Sequence, residues 1–323
     1  MGIGNYAVKR LLLLVPVLLG ITAVVFLLVQ LTPGSPITVL LPPNARTPSQ
    51  IAALRNRLGL DQPLYIQYVK WVTNAAQGDL GRSYATRQPV TEMIVDHLWP
   101  TLELAAVALF VALFVAIPVG ILSAVYKDTA IDHFGRIGAF LGISMPSFWV
   151  GIMAILVFAL FWQEWFGFQV IPAGGYVSPA EGFVPWLRHI VAPGLVLGLG
   201  FAALTTRLTR AAMLEVLNED YIRTARSKGV KESTVVLVHG FKNAFIPVLT
   251  VLGLQLGFLI NGSVVIEQVF QWPGIGQLLY TAVEQRDMPL IQGIVLLIAI
   301  VFVFANLAVD LLYAFLDPRI KYD

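Results

Sequence analysis

The densest run of chemistry-bearing side chains lies late in the chain, where Glu219, Asp220, Tyr221, Ile222, Arg223, Thr224, Ala225, Arg226, Lys228 and Gly229 follow one another closely. Tyr221, Ile222 and Ala225 stand at i, i+1 and i+4, a narrow apolar face on a short helix, with Arg223, Arg226 and Lys228 pointing elsewhere. Gly229 supplies a C-terminal stop, while Asn218 is a capping candidate and Glu219 and Asp220 set acids at the positive helix end. Such a helix suits a groove on another protein, or a resting place on anionic lipid, and composition leaves both readings open.

Elsewhere the chain is poor in groups that make or break bonds. His97, His133, His189 and His239 are scattered, and no His-Glu-x-x-His, Gly-x-Ser-x-Gly or Gly-x-x-x-x-Gly-Lys-Ser/Thr occurs. There is no cysteine, which excludes a disulfide framework, a thiolate metal site and a cysteine nucleophile. The expectation is a chain that is not an enzyme and holds no metal or cofactor of its own. A net charge of +2 is too small to point to nucleic acid.

The elements that must position the basic helix are read from hydropathy. With 57% hydrophobic and 12% charged residues, the composition points to a bilayer as solvent. Six stretches are long and apolar enough to span it: about Leu11 to Leu31, Thr101 to Tyr126, Ile137 to Trp162, Ile190 to Thr206, Ala244 to Ile266 and Leu290 to Leu316. The first exceeds a signal-peptide core and no small-x-small cleavage site follows it, so it is read as retained. In the short connections, Lys and Arg number thirteen on the side of the termini against two on the other, which predicts that both termini are cytoplasmic.

The division expected is residues 1–31 as the N-terminus and first span, 32–100 as an external loop region with short helices, and 101–323 as a five-helix core containing a cytoplasmic segment, 207–243. In the loop, Thr47-Pro48-Ser49-Gln50 reads as a helix start, Gly59 as a stop, and Leu64 to Ala76 as a short amphipathic helix with Tyr65, Tyr68 and Trp71 at the membrane surface. Gly138/Gly142, Gly194/Gly198 and Gly253/Gly257 are spaced for close helix approach, and prolines 16, 118, 146, 193 and 247 are read as kinks. Asp310 lies inside the last span; a hydrogen bond or ion pair, to Arg207 or Arg210, is expected rather than proton transport, because no second acid shares its span.

Taken in order, Glu219-Asp-Tyr-Ile-Arg-Thr-Ala-Arg-Ser-Lys-Gly229, then His239 and Asn243-Ala-Phe-Ile-Pro-Val248, resemble the permease signature of bacterial ABC importers, and most closely the dipeptide and oligopeptide branch. Gly78-Asp-Leu-Gly81, Glu267-Gln-Val-Phe-Gln-Trp-Pro-Gly-Ile-Gly276, Asn306-Leu-Ala-Val-Asp310 and Asp317-Pro-Arg319 extend the resemblance over nearly the whole chain. Where the family's general pattern has Glu-Ala-Ala, this chain has Arg223-Thr224-Ala225.

The resemblance implies an all-α polytopic membrane protein with the six-helix fold of a type I ABC importer permease. It further implies that Asp220 to Gly229 form a coupling helix docking on an ATPase, and that this chain makes half of a pathway for di- or oligopeptides. Implied partners are a second homologous permease, two ATPase subunits that bind ATP and Mg2+, a periplasmic or lipid-anchored solute-binding protein, and the lipid of an inner membrane. Pro273, Gly274 and Gly276 form a turn cluster able to approach another chain or the exit of the pathway, and with Asn306 and Asp310 are candidates for gate or structural polar roles. Nickel, glutathione or oligosaccharide remain alternative cargoes. A stand-alone secondary carrier, the reading from another class, predicts inverted repeats that the sequence does not display.

Overall fold

The computed structural model describes residues 3–31, 37 and 47–316. Within them the chain is helical throughout, with no strand beyond an isolated bridge between Arg82 and Pro89. In chain order the helices are α1 (Ile3–Leu31), α2 (Pro48–Arg57), α3 (Leu64–Ala76), α4 (Val90–Val125), α5 (Ala130–Ser144), α6 (Ser147–Phe166), α7 (Phe183–Leu217), α8 (Asp220–Ser227), α9 (residues 232–269), α10 (Ile275–Glu284) and α11 (Met288–Leu316). Six of them, α1, α4, α6, α7, α9 and α11, are long and apolar enough to cross a membrane. Two contain π-helical turns, Ile155–Phe161 in α6 and Val235–Phe241 in α9.

Four spans differ from the sequence expectation; the second begins early, at Val90 rather than Thr101. The third is interrupted: α5 ends at Ser144, Met145 is extended at φ −84° and ψ 129°, and α6 starts after Pro146. The ring of Pro146 disfavours the helical region for the residue before it, so this proline breaks the helix, whereas Pro16, Pro118, Pro193 and Pro247 lie inside continuous ones. The fourth span does not end at Thr206; α7 runs through Arg207 and Arg210 to Leu217. The fifth begins early, at Glu232, so the segment between the two helices shrinks from 207–243 to 218–231.

The loop helices form as read. Thr47 caps α2 in an extended conformation, its Oγ1 accepting the Gln50 N–H at 3.4 Å, with Pro48 as first helical residue, and Gly59 at φ +69° follows the end. On α3, Tyr68 shares a 2.9 Å hydrogen bond with Thr22 of α1 and meets Phe26 edge-on, while Tyr65 and Val69 stay exposed.

The chain divides into two compact units. One contains Gly2–Trp99 and Gly274–Val303, with a core of Val90, Ile94, Ile275, Leu278, Leu290 and Ile294. The other contains Pro100–Pro273 and the chain from Phe304, with a core of Leu104 and Ala108 from α4, Ile190, Val196 and Leu197 from α7, Ile266 from the end of α9, and Phe270 and Trp272 just after it. In lipid the apolar drive between helices is weak and close packing carries association. Gly198 shows how close: a methyl added there would meet the Ala108 carbonyl oxygen at 2.6 Å and Val111 Cβ at 2.8 Å. Gly142 sits similarly against Ala203, but Gly138 faces open space, and Gly257 lies outside the described side chains.

Candidate functional site

Two tight ends define α8. Asn218, a capping candidate for α8 by sequence, instead turns its amide back to the Leu214 carbonyl at 2.7 Å and closes α7. Glu219 is the residue before α8, extended at φ −68° and ψ 149°, and its carbonyl takes the N–H groups of Ile222 and Arg223. At the other end Gly229 adopts φ +77°, its N–H bonding to the Arg226 carbonyl at 2.9 Å, while the Val230 N–H reaches back to Ala225 at 3.2 Å. This paired arrangement is a Schellman motif, and it needs a left-handed residue at Gly229.

The narrow apolar face holds α8 to its own chain. Ile222 is fully buried and Ala225 half-buried, and the helix packs on the π-helical Val235–Phe241. Asn243 Nδ2 donates to Tyr221 Oη at 3.0 Å and to the His239 carbonyl at 2.9 Å. Arg226 reaches Glu232 through two bonds, Nη2 to Oε1 at 2.8 Å and Nε to Oε2 at 3.2 Å, a fork that ties the end of α8 to the start of α9. Of the ten residues singled out by sequence, Tyr221, Ile222 and Arg226 therefore act as internal fasteners. Asp220, Arg223, Thr224 and Lys228 are exposed, with Asp220 and Arg223 in a loose 3.4 Å pair. Apart from the half-open Tyr221 ring, the free surface of α8 is polar and charged.

Between α5 and α7 stands an ion pair that sequence reasoning missed. Asp132, fully buried in the first turn of α5, receives Arg210 of α7 through Nε at 2.7 Å and Nη2 at 2.8 Å. Arg136 approaches at 3.5 Å, and the Asp128 N–H donates at 3.0 Å. The hydrogen bonds from Arg210, ahead of the opposing effect of burial, hold the Asp132 carboxyl well below the usual carboxylate range. Arg210, with Arg207 one of the two partners expected for Asp310, is engaged by Asp132; the side chain of Asp310 and residues 317–319 lie outside those described. The i, i+4 spacing of Asp132 and Arg136 was the available signal.

At the opposite end of the same unit the Glu267–Trp272 run turns inward. Trp272 is fully buried and donates Nε1–H to the Pro100 carbonyl at 2.9 Å, and Thr101 donates to Glu267 at 2.9 Å. Glu103 accepts Trp186 Nε1 at 2.9 Å and Tyr176 Oη at 3.3 Å. Of the turn cluster, Gly274 is the extended residue before α10 and Gly276 is buried in its first turn. Pro273 and, on α11, Asn306 are half-buried.

In the other unit a second missed carboxylate, Asp287, is fully buried. It accepts the Ser83 hydroxyl, the Tyr84 N–H at 3.0 Å and the Ala85 N–H at 3.4 Å, and caps α11 through the Leu290 N–H at 3.5 Å. Asp287-Met288-Pro289 carried this in sequence, an acid at the cap position with proline in the first turn. The Gly78-Asp-Leu-Gly81 stretch leads into that loop, with Gly78 and Gly81 both at positive φ and the Asp79 carboxylate accepting the Gly81 N–H at 2.9 Å.

Among the described residues no group of three or more His, Asp or Glu is placed to hold a metal ion. What the geometry offers is a charged surface helix, α8, fastened to the head of α9.

Comparison with known proteins agrees. Residues 116–322 match the family described as binding-protein-dependent transport system inner membrane component, and residues 4–105 match the N-terminal family of the same systems. The chain is 43% identical to the glutathione transport system permease protein GsiC of Salmonella paratyphi A over 320 residues, covering 98% of this chain and 99% of the relative. It is 44% identical to a putative peptide permease protein of Brucella suis and 41% identical to the dipeptide transport system permease protein DppB of Alkalihalophilus pseudofirmus, with the same coverage. In fold it resembles the inward-facing MetNI methionine ABC transporter, with a TM-score of 0.56 at 18% identity, over 70% of this chain and 96% of that one. With two family segments matched across almost its full length, the chain belongs to the binding-protein-dependent transport system inner membrane components, the multi-pass permease subunits of ABC importers.

Proposed function

We propose that this permease forms half of an inner-membrane pathway for short peptides, with α8 as the element through which partner ATPases drive it. The observation carrying the reading is the fastening of α8. The Ile222 anchor, the Tyr221–Asn243 bond and the Arg226–Glu232 fork tie it to the head of α9, while Arg223, Thr224 and Lys228 remain exposed for a partner. A displacement of α8 is then passed to α9 directly, and to α7 through the two residues Asn218 and Glu219.

In this reading both termini are cytoplasmic, the partner ATPases bind and hydrolyse ATP with Mg2+, and a second, related permease completes the pathway. An external solute-binding protein supplies cargo and most of the selectivity, which accounts for the few polar side chains in the spans. Relatives named for glutathione, dipeptides and peptides support short peptides as the cargo class, a γ-linked tripeptide included.

The test is reconstitution of the whole importer in vesicles with its binding protein, measuring uptake of a labelled dipeptide and of glutathione with and without ATP. Uptake of either that requires ATP is the expected result. Uptake without ATP establishes a carrier instead, and ATP-driven uptake confined to nickel or oligosaccharide overturns the cargo.

A further inference from the structure

Between α4, α5 and α7 lies a cavity of about 780 Å3 that the transport reading does not use. One end is basic: Arg136, Arg207, Arg210 and His133 line it. Asp132 engages Arg210 and, more loosely, Arg136, but Arg207 is exposed and makes no ion pair among the described residues. Among the described side chains, with Asp132 and Asp128 set against them, the three guanidinium groups leave a positive excess. Arg136 Nη2 donates to His133 Nδ1 at 2.6 Å, so that ring carries its proton on Nε2 when neutral and remains a donor. The Ser123 hydroxyl, fully buried in the cavity wall, has no hydrogen-bond partner among the described residues. Gly135 of α5 covers that hydroxyl: a Cβ there would collide with it.

The other wall is apolar. Ile137, Phe140 and Ile143 lie at i, i+3 and i+6 on α5, one side of a helix over about 9 Å, and are 54%, 70% and 50% exposed. A free phosphate would use the basic end and leave this strip bare. A zwitterionic lipid would cover the strip without answering the charge. Only an amphiphile with a net negative head matches both ends, and basic pockets between membrane helices are suited to such heads.

We propose that this groove binds one anionic phospholipid, its phosphate held by Arg136, Arg207 and His133 and an acyl chain laid along Ile137, Phe140 and Ile143. The lipid would fill the space between α4, α5 and α7 and brace the interrupted third span.

The experiment uses the intact importer complex in vesicles of phosphatidylcholine doped with phosphatidylglycerol, released for native mass spectrometry. Wild type should retain phosphatidylglycerol in preference to phosphatidylcholine. Arg207→Gln, an exposed change that leaves the Asp132 pair in place, should weaken retention several-fold, and adding Arg136→Gln should bring the loss to about tenfold or more. Lys127→Gln, basic and exposed but outside the groove, should not change it. Equal retention by wild type and the double variant, or equal retention of the two lipids, overturns the proposal. So does Phe140→Cys, the sole thiol such a chain would carry, if it cross-links to another protein chain of the complex, because protein then covers the groove.

Discussion

Replacement of Gly229 isolates the contribution of the α8 stop. Its φ of +77° belongs to the left-handed region, yet a Cβ built there meets nothing within 4 Å, so substitution costs conformational strain without a clash. For an ordinary L-residue that strain is about 1–2 kcal/mol, less for asparagine and more for a β-branched residue. The cost falls on the Gly229–Arg226 and Val230–Ala225 hydrogen bonds, which open together when the turn relaxes. An energy of about 1–2 kcal/mol raises the open population roughly 5–30-fold. Hydrogen exchange at the Val230 amide, measured on the intact complex, should accelerate by about that factor in Gly229→Ala, further in Gly229→Val, and least in Gly229→Asn. Because α8 is the proposed drive element, ATP hydrolysed per cargo molecule should rise in the same order. Equal exchange in the asparagine and valine variants would refute the reasoning, since the backbone would then not depend on a left-handed residue.

Removing one partner of the Asp132–Arg210 pair, as in Asp132→Ala, should destabilise the purified complex by about 3–5 kcal/mol in thermal unfolding, with much of the loss recovered when Arg210→Met is added. The Asp132 pKa is depressed in the fold, so its stabilisation is complete above the unfolded value of about 4 and is lost as pH falls through the lower folded value; the gap between wild type and Asp132→Asn should close only in that acid range. Asp287→Asn turns one acceptor oxygen into a donor facing Ser83 and the Ala85 N–H, so limited proteolysis should cut residues 82–89 faster, consistent with a loss of about 1–3 kcal/mol. Gly198→Ala must separate α7 from the Ala108 carbonyl, costing about 1–3 kcal/mol and lowering the yield of assembled complex.

Much of this architecture is legible from single residues. Thr47-Pro48 and Gly59 mark the ends of α2 by local chemistry, and the apolar runs locate six spans because lipid admits few other solutions. Boundaries failed where a local rule competed with helix continuation. Arg207 and Arg210 read as the end of a span, but their long stems extend from a helix that carries on, and Arg210 is drawn in by an acid 78 positions away. Pro146 broke its helix and Pro118 did not, a distinction that depends on whether neighbouring helices can satisfy the freed backbone groups. Ile222 was legible as apolar, but its burial against its own chain was not, because the π-helical turn on which α8 packs leaves no signature in hydropathy. Asp132 and Asp287 were hidden for a related reason: their partners lie 78 and about 200 positions away.

The central claim, that α8 is where an ATPase engages this permease, is tested most directly by proximity. The chain has no cysteine, so Arg223→Cys places a single thiol on the exposed face of α8. A short thiol-to-amine cross-linker applied to the active importer in native membranes should join this position to an ATPase subunit, in a yield that changes with ATP. An active transporter in which Arg223→Cys forms no such adduct, while a cysteine in place of Asp61 on the loop after α2 does, would contradict the account.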